Sequence, residues 1–358
     1  MSSYDQHFLT PDPDDGIVLS ICIATLNRGA YIGVTLDTIV DQLQPGVELV
    51  VVDGASTDCT HNVVTQYTET YNNVRYFLLP ENGGVDADFD KAVAFARGKY
   101  CWLMTDDDLL MKGAIEAVLS AIDTDPDMIV VNSELHSADF EIQFSRRLMD
   151  IDQNIHFCSD DRNQMFGLIA NYISYIGAVV ILKDYWSARE RLPYYGSLFI
   201  HVGVAFQNPT IENVYLIAEP KILIRYGNAM WTPKRFNIWM FMWPELIWSF
   251  GSFSDQVKSS VVALEPWKSL KKMIIYKAIG GYGKDEYSQF IKPRTSGIQR
   301  CAYWGLAMLP TALISFLAIL VCAAVGGRRS TELYDIYLNS QSGRFGRWLA
   351  RKLLYGAP

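Results

Sequence analysis

Three carboxylates stand side by side at the end of an apolar run: Asp106, Asp107 and Asp108 in "CWLMTDDDLLM" (residues 101–111). Adjacent like charges repel, so a cation is the simplest partner for them. Hard divalent cations take oxygen ligands and bridge to phosphates. One or two of these aspartates, water and a diphosphate would complete such a site, and the ion would neutralise charge developing on a leaving phosphate. The bland alternative is an acidic N-cap on a helix near 111–122.

Three more polar clusters follow apolar runs upstream. Ala24, Thr25, Asn27 and Arg28 follow "IVLSICIAT" (17–25); Asp53, Ser56 and Asp58 end "VELVVVDGAS" (47–56); Asn82, Gly83 and Gly84 end "VRYFLLPENGG" (74–84). The elements that must position them alternate. Strands at 17–25, 47–53, 74–79, 99–104 and 128–135 are separated by helical patterns at 29–43, 58–71 and 86–98, the last closed by Gly98. This predicts an α/β fold: a Rossmann-like, mostly parallel sheet with helices on both faces. Ligands of such sheets bind beyond the carboxyl ends of the strands, where all four clusters fall. Residues 174–186 read as strand then helix, and 212–227 as a strand pair joined at Glu219-Pro220.

The chain has 358 residues and a net charge of −8, which argues against nucleic acid as a partner. Its cysteines, at 22, 59, 101, 158, 301 and 322, show neither zinc spacing nor a disulfide framework. "MSSYDQHFLTPDPDD" lacks the basic and apolar regions of a secretory signal, so a reducing, cytoplasmic setting is expected.

The motifs "SICIATLNRGAYIGVTLDTI", "VELVVVDGASTDCT" and "PENGGVDADFDKAVAFARGKYCWLMTDDD" occur in order and resemble those of family 2 glycosyltransferases, over roughly residues 17–135. The resemblance implies the GT-A fold and a nucleotide-sugar donor. It implies that Asp53 holds the nucleotide base, that the loop from Ala24 to Arg28 cradles the nucleotide, and that Asp106 to Asp108 carry Mg²⁺ or Mn²⁺ and the sugar diphosphate. Ser56, Asn82, Gly84 and Asp88 fall in the same motifs as nucleotide-sugar contacts. The family often reads Asp-x-Asp-Asp here, which puts Thr105 at the first Asp and makes Asp107 the expected direct ligand. It often has Pro at Ala24, and Arg-Asn where Ala87-Asp88 stands, which leaves the donor nucleotide open. Inverting members need a general base downstream. The corresponding stretch, 194–206, has no carboxylate, and His201 is its one group with a pKa near neutral; it reads as the base, a metal ligand or a structural histidine, with Glu190 the nearest acidic alternative.

Together with "RYGNAMWTPKRFNIWMFMWPELIWSF", the motifs look most like the abequosyltransferase-type branch, which implies an acceptor saccharide on a polyprenyl diphosphate in O-antigen-like biosynthesis. The alternatives are transfer to polyprenyl phosphate and a non-catalytic nucleotide-sugar-binding scaffold. The expected division is a tail (1–16), a catalytic domain (17–227), an aromatic helical region (228–300) that faces the acceptor and membrane interface or packs as core, an uncharged segment (301–327) and a basic tail (328–358). Residues 301–327 are long enough to cross a bilayer, which takes about 20 apolar residues. Basic residues flank them on both sides: Lys292, Arg294 and Arg300 before; Arg328, Arg329, Arg344, Arg347, Arg351 and Lys352 after. That symmetry predicts a segment broken at Pro310 that re-enters the cytoplasmic face of a bacterial inner membrane, followed by an amphipathic helix at 343–354 on anionic lipid. A single span, or the buried helix of a homo-oligomer, are the alternatives.

Overall fold

The computed structural model describes residues 16–324 and 330–356. The expected tail at 1–15, residues 325–327 of the uncharged segment, and Arg328 and Arg329 lie outside them. The chain divides into two compact units, one of residues 1–133 and 147–223, the other of 134–146 and 224–358.

The first unit begins as the apolar runs dictate. Strand β1 (Leu19–Thr25), helix α1 (Ile32–Val40), β2 (Val47–Asp53), α2 (Thr60–Thr70), β3 (Val74–Leu78), α3 (Val85–Phe95) and β4 (Tyr100–Met104) follow in order, then β5 (Leu109–Leu110) and α4 (Ala114–Ile122). All seven residues of β2 and all five of β4 are buried. β6 (Met128–Ser137) and β10 (Val214–Tyr226) have residues in both units; β8 (Ile155–Phe157), α5 (Arg162–Ile169), β9 (Val179–Leu182), α6 (Lys183–Ser187) and α7 (Ile200–Phe206) lie between them, and β7 (Gln143–Ser145) belongs to the second unit.

The sheet runs β3-β2-β1-β4-β9-β6-β10-β5. Only its first four strands are parallel to their neighbours; β9 pairs antiparallel with both β4 and β6, and β10 antiparallel with β5 and β8. The sheet is therefore mixed, not mostly parallel. A fully apolar strand carries no mark of its direction, and β9 enters beside β4 from 75 residues downstream. Pro220 likewise does not divide a strand pair. It sits inside β10, between the residues that pair with β8 (214–216) and those that pair with β5 (222–223), where its missing N–H leaves both ladders whole.

Register places the clusters. Thr25 pairs with Asp53, Asp53 with Leu78, and Ile23 with Met104, so the ends of β1 to β4 are level and their loops leave from one edge. Buried Glu48 ties this half together below that edge. It accepts from Ser20 Oγ (2.7 Å), Arg97 N (2.6 Å), Arg97 Nε (3.0 Å) and Arg75 Nη1 (3.2 Å). Gly98 does not cap α3, which ends at Phe95; a Cβ at Gly98 would stand 2.6 Å from Ser20 N, so its need is close approach.

In the second unit, α8 (Arg235–Asn237), α9 (Trp243–Ser249), α10 (Asp255–Val261), α11 (Leu270–Ala278), α12 (Lys284–Glu286), α13 (Gly297–Met308), α14 (Thr311–Ala324), α15 (Thr331–Leu338) and α16 (Gly343–Tyr355) follow. The aromatic run puts Phe236, Met240, Trp243, Ile247 and Phe250 inside, at helical spacing, while Trp231 is exposed. Among the described residues no single helix is long and apolar enough to cross a membrane; α13 and α14 meet at a 90° bend at Pro310. α14 buries Ser315 and Ile319 and exposes Leu313, Leu317, Leu320 and Val321. α16 buries Gly346, Ala350 and Leu354 and exposes Phe345 and Trp348 together with Arg344, Arg351 and Lys352. The Phe345 ring lies 5.9 Å from Phe316 of α14.

Candidate functional site

The loops after β1 and β2 are bound to one another. Thr25 O accepts from Gly54 N (2.9 Å), Asn27 N–H donates to Ser56 Oγ (2.8 Å), Asn27 Oδ1 accepts from Thr57 N (2.7 Å), and Arg28 N–H donates to Thr60 Oγ1 (2.8 Å). Asn27 and Ala55 hold positive φ (53° and 66°), a sparsely populated region for residues with a Cβ. Such backbone persists where its surroundings over-determine it, often at functional sites.

Asp53 is 0% exposed; Oδ1 accepts from Ser56 N (2.7 Å) and Oδ2 from Tyr76 OH (2.7 Å). Its neighbour Gly54 admits a second carboxylate, since a Cβ there would lie 2.6 Å from Asp88 Oδ2. Asp88 is buried, with Lys91 Nζ 4.0 Å from an Oδ1 that no hydrogen bond satisfies. Burial pushes its pKa up and the Asp53 charge adds to the rise, while Lys91 and a Gly83 hydrogen bond oppose it. Asn82 Oδ1 accepts from Gly84 N (2.8 Å), and Gly84, at φ 85°, stands just before α3. Ala24 lies within β1, one residue before Thr25.

Arg28 crosses from the first loop to the aspartates. Its Nε donates to Asp106 Oδ1 (3.1 Å) and its Nη2 to Asp107 Oδ2, and the guanidinium also lies 4.8 Å from the Tyr31 ring centre. The Asp106 pKa rises to about 6, from burial first and the Asp107 charge second, with Arg28 opposing both. Asp108 differs from the other two: Oδ2 accepts from Thr105 Oγ1 (2.5 Å) and Tyr175 OH (2.7 Å). None of the three caps the next helix, which starts at Ala114 after Gly113. Asp106 and Asp107 thus form a desolvated pair of hard oxygen donors that already gathers one cationic group. That donor set suits a divalent ion whose remaining ligands are diphosphate and water. Among the described residues no group of three or more His, Cys, Asp or Glu side chains forms a metal cage by itself.

His201 lies on α7 rather than on the strand edge. It is 1% exposed on α7, and Nε2–H donates to Ile173 O (2.6 Å). Burial lowers its pKa to about 4, against that hydrogen bond, so the imidazole is neutral at physiological pH. Its Nδ1 is buried as well and has no hydrogen-bond partner among the described residues. Glu190 is bonded through its backbone to Gln207. Sequence reasoning missed Thr60, Tyr76 and Tyr175, which orient Arg28, Asp53 and Asp108; nothing local in the sequence marks them.

The comparisons with known proteins bear on the family and the fold. The model of Glycosyl transferase family 2 matches residues 20–180. Abequosyltransferase RfbV of Salmonella typhimurium is 25% identical over 232 residues, covering 61% of this chain and 69% of that protein. Among solved structures, Staphylococcus aureus TarS (residues 1–349, with UDP) aligns at TM-score 0.53 and 14% identity over 95% of this chain and 92% of its own. The mannosyltransferase PcManGT of Pyrobaculum calidifontis, with GDP-Man and Mn²⁺, aligns at 0.51 and 15% over 98% and 90%. At these identities the two structures speak for a shared GT-A-like α/β fold.

Proposed function

Because the family 2 glycosyltransferase model matches residues 20–180, in a chain resembling the O-antigen branch of that family, we propose that this protein is a membrane-associated, metal-dependent, inverting glycosyltransferase. It would move a sugar from a nucleotide donor to a saccharide on a polyprenyl diphosphate, in bacterial surface-polysaccharide assembly. The observation that carries the reading is the Arg28–Asp106–Asp107 group at the same sheet edge as Asp53 and Asp88.

In this reading Asp53, Ser56, Asn82, Gly84 and Asp88 receive the nucleoside, with the unsatisfied Asp88 Oδ1 as an acceptor for its hydroxyl or N–H groups. The loop from Ala24 to Arg28 closes over the diphosphate. Asp107 and Asp106 would hold Mg²⁺ or Mn²⁺, which supplies charge neutralisation for the departing nucleoside diphosphate. Asp108, engaged by Thr105 and Tyr175, keeps the turn that presents them. A thermal-unfolding screen of UDP-, GDP-, CDP- and dTDP-sugars with Mn²⁺ tests the donor side, because a ligand bound at 100 times its Kd adds about 2.7 kcal/mol. If no donor raises the transition, the proposal fails.

One observation favours a second acceptor. Transfer to a hydroxyl needs a general base, whereas a phosphate is already ionised. The enclosure of His201 therefore favours polyprenyl phosphate among the alternatives. Offering both lipid acceptors to the enzyme with the donor found in the screen separates the two. Donor binding without transfer to either, and without hydrolysis, would leave the scaffold reading.

Membrane association rests on the second unit. Exposed Leu313, Leu317, Leu320 and Val321 of α14 and Phe345 and Trp348 of α16 are accompanied by Arg344, Arg351 and Lys352, a composition suited to anionic lipid at a cytoplasmic membrane face. Flotation with vesicles containing phosphatidylglycerol, lost in a Phe345→Ser/Trp348→Ser variant, is expected. Equal recovery of both proteins would remove this part of the proposal.

A further inference from the structure

Helix α3 carries carboxylates at three alternate positions, Asp86, Asp88 and Asp90. At about 100° per residue, Asp86 and Asp90 share a face and Asp88 looks away from it. The Asp88 face meets Gly54 and Gly83, on the nucleotide side. The other face meets the segment from α6 to α7. Asp86 Oδ2 accepts from Leu198 N (2.9 Å) and Oδ1 from Ile200 N (3.1 Å). Asp90 Oδ1 accepts from Trp186 Nε1 (2.8 Å) and pairs with Arg191 Nε (3.0 Å), while Oδ2 accepts from Tyr195 OH (2.6 Å). Two carboxylates thereby pin residues 186–200 at five points.

The segment needs such support. Between α6 and α7, apart from a single turn at Leu192–Tyr194, it has no regular structure, and it holds Gly196 at φ 82° and Leu198 at φ 70°. A leucine stays in that region only where its surroundings impose it. The bond from Leu198 N to Asp86 is one such constraint, and its residue lies two positions before the start of α7. Asp86 itself is buried, so the bond is shielded from water. Leu192 and Tyr195 meanwhile turn outward, 75% and 38% exposed.

We infer that Asp86 and Asp90 are positioning residues that hold segment 186–200 as the acceptor-side wall of the transferase site, an inference that rests on the glycosyl-transfer reading above. Asp86 and Asp88 leave the same helical turn, so the segment and the nucleotide-side glycines stand on opposite faces of one helix, about 10 Å across. Leu192 and Tyr195 give the segment the apolar and aromatic surface on which a sugar ring or lipid-linked saccharide rests. α3 thus sets donor side and acceptor side from a single rigid element.

Asp86→Asn and Asp90→Asn in the full chain test this. Amide hydrogen exchange of residues 195–200 is expected to rise at least about tenfold, while exchange within β1 and β2 is unchanged. Whichever of UDP, GDP, CDP or dTDP stabilises the wild-type chain with Mn²⁺ should stabilise the variants within about twofold in affinity, and kcat for transfer should fall at least about tenfold with donor KM held. Asp90→Glu, which can still reach Arg191 and Tyr195, should recover most of the rate. Unchanged exchange at 195–200, or nucleotide affinity falling in step with kcat, overturns the inference. If Asp86→Asn does not fold, Asp90→Asn gives the same readouts from a carboxylate nearer the surface. If no nucleoside diphosphate binds the wild-type chain, it is the functional reading that has failed, and the exchange result still judges the clamp.

Discussion

Replacing Arg28 with methionine removes a cationic group that reaches both Asp106 and Asp107. Methionine fills similar space, so the change isolates charge. Removing one partner of a buried ion pair costs about 3–5 kcal/mol. Here the Asp106 and Asp107 side chains keep 14% and 12% exposure, so water recovers part of that, and about 2–3 kcal/mol is expected. For a unit of roughly 200 residues, each kcal/mol shifts Tm by about 2–4 °C, which gives a fall of about 4–12 °C. The deficit has a pH signature. Asp106 already titrates near 6 with Arg28 present, and without it rises further. An unfolded chain gives up that proton near pH 3.9 while the folded one retains it. Stability is therefore lost as pH rises from about 4 through the folded pKa, and the deficit is larger at pH 8 than at pH 5. Mn²⁺ should return more Tm to the variant than it adds to the wild type, because the two carboxylates no longer have a competing cation. Thermal unfolding at pH 5 and pH 8, with and without Mn²⁺, reads all three effects. A variant with wild-type Tm at both pH values, or one that gains no more from Mn²⁺ than the wild type, refutes the charge argument.

Three further changes have defined outcomes. Asp107→Asn, which preserves shape and an acceptor for Arg28, should lower transfer at least about 100-fold with Tm held within a few degrees; activity near wild type would remove Asp107 from the metal role. Gly54→Ala drives a methyl to 2.6 Å from Asp88 Oδ2, so stabilisation by nucleoside diphosphate should disappear while the fold survives; retained binding would separate Asp88 from the nucleotide. His201→Gln keeps an N–H donor for Ile173 but cannot titrate. The folded pKa of about 4 lies below the unfolded value of about 6.5, so the wild type loses about 3 kcal/mol as pH falls between those limits, and the variant should lose one proton's worth less in a pH series of Tm. Its transfer rate at pH 8 should stay within about threefold of wild type; a 100-fold loss with the fold intact would make His201 the base after all.

How much of this was legible in the sequence depends on how far each interaction reaches along the chain. β1 to β4 and the helices between them are local patterns, apolar runs closed by Thr25, Asp53, Asn82 and Asp106, and they could be read in order. Strand direction could not. β9 reaches β4 from residue 179, and neither Val179 nor Leu182 marks an antiparallel partner. Nothing in "VELVVVD" marks Glu48 as a buried hub, because Arg75 and Arg97, which make it one, stand 27 and 49 positions on. His201 reads as a titratable group in a stretch without carboxylates; only tertiary packing encloses it. Nothing beside Asp86 and Asp90 in the sequence marks their partners, which lie 96 to 114 residues downstream. A stretch without acids of its own, 191–211, still meets one in space: Asp86 delivers its carboxylate to Leu198 and Ile200 from another helix. Strand-end chemistry is written where the strands end. The shape of the wall beside it is written elsewhere, on α3, and is recovered only when the fold brings the two together.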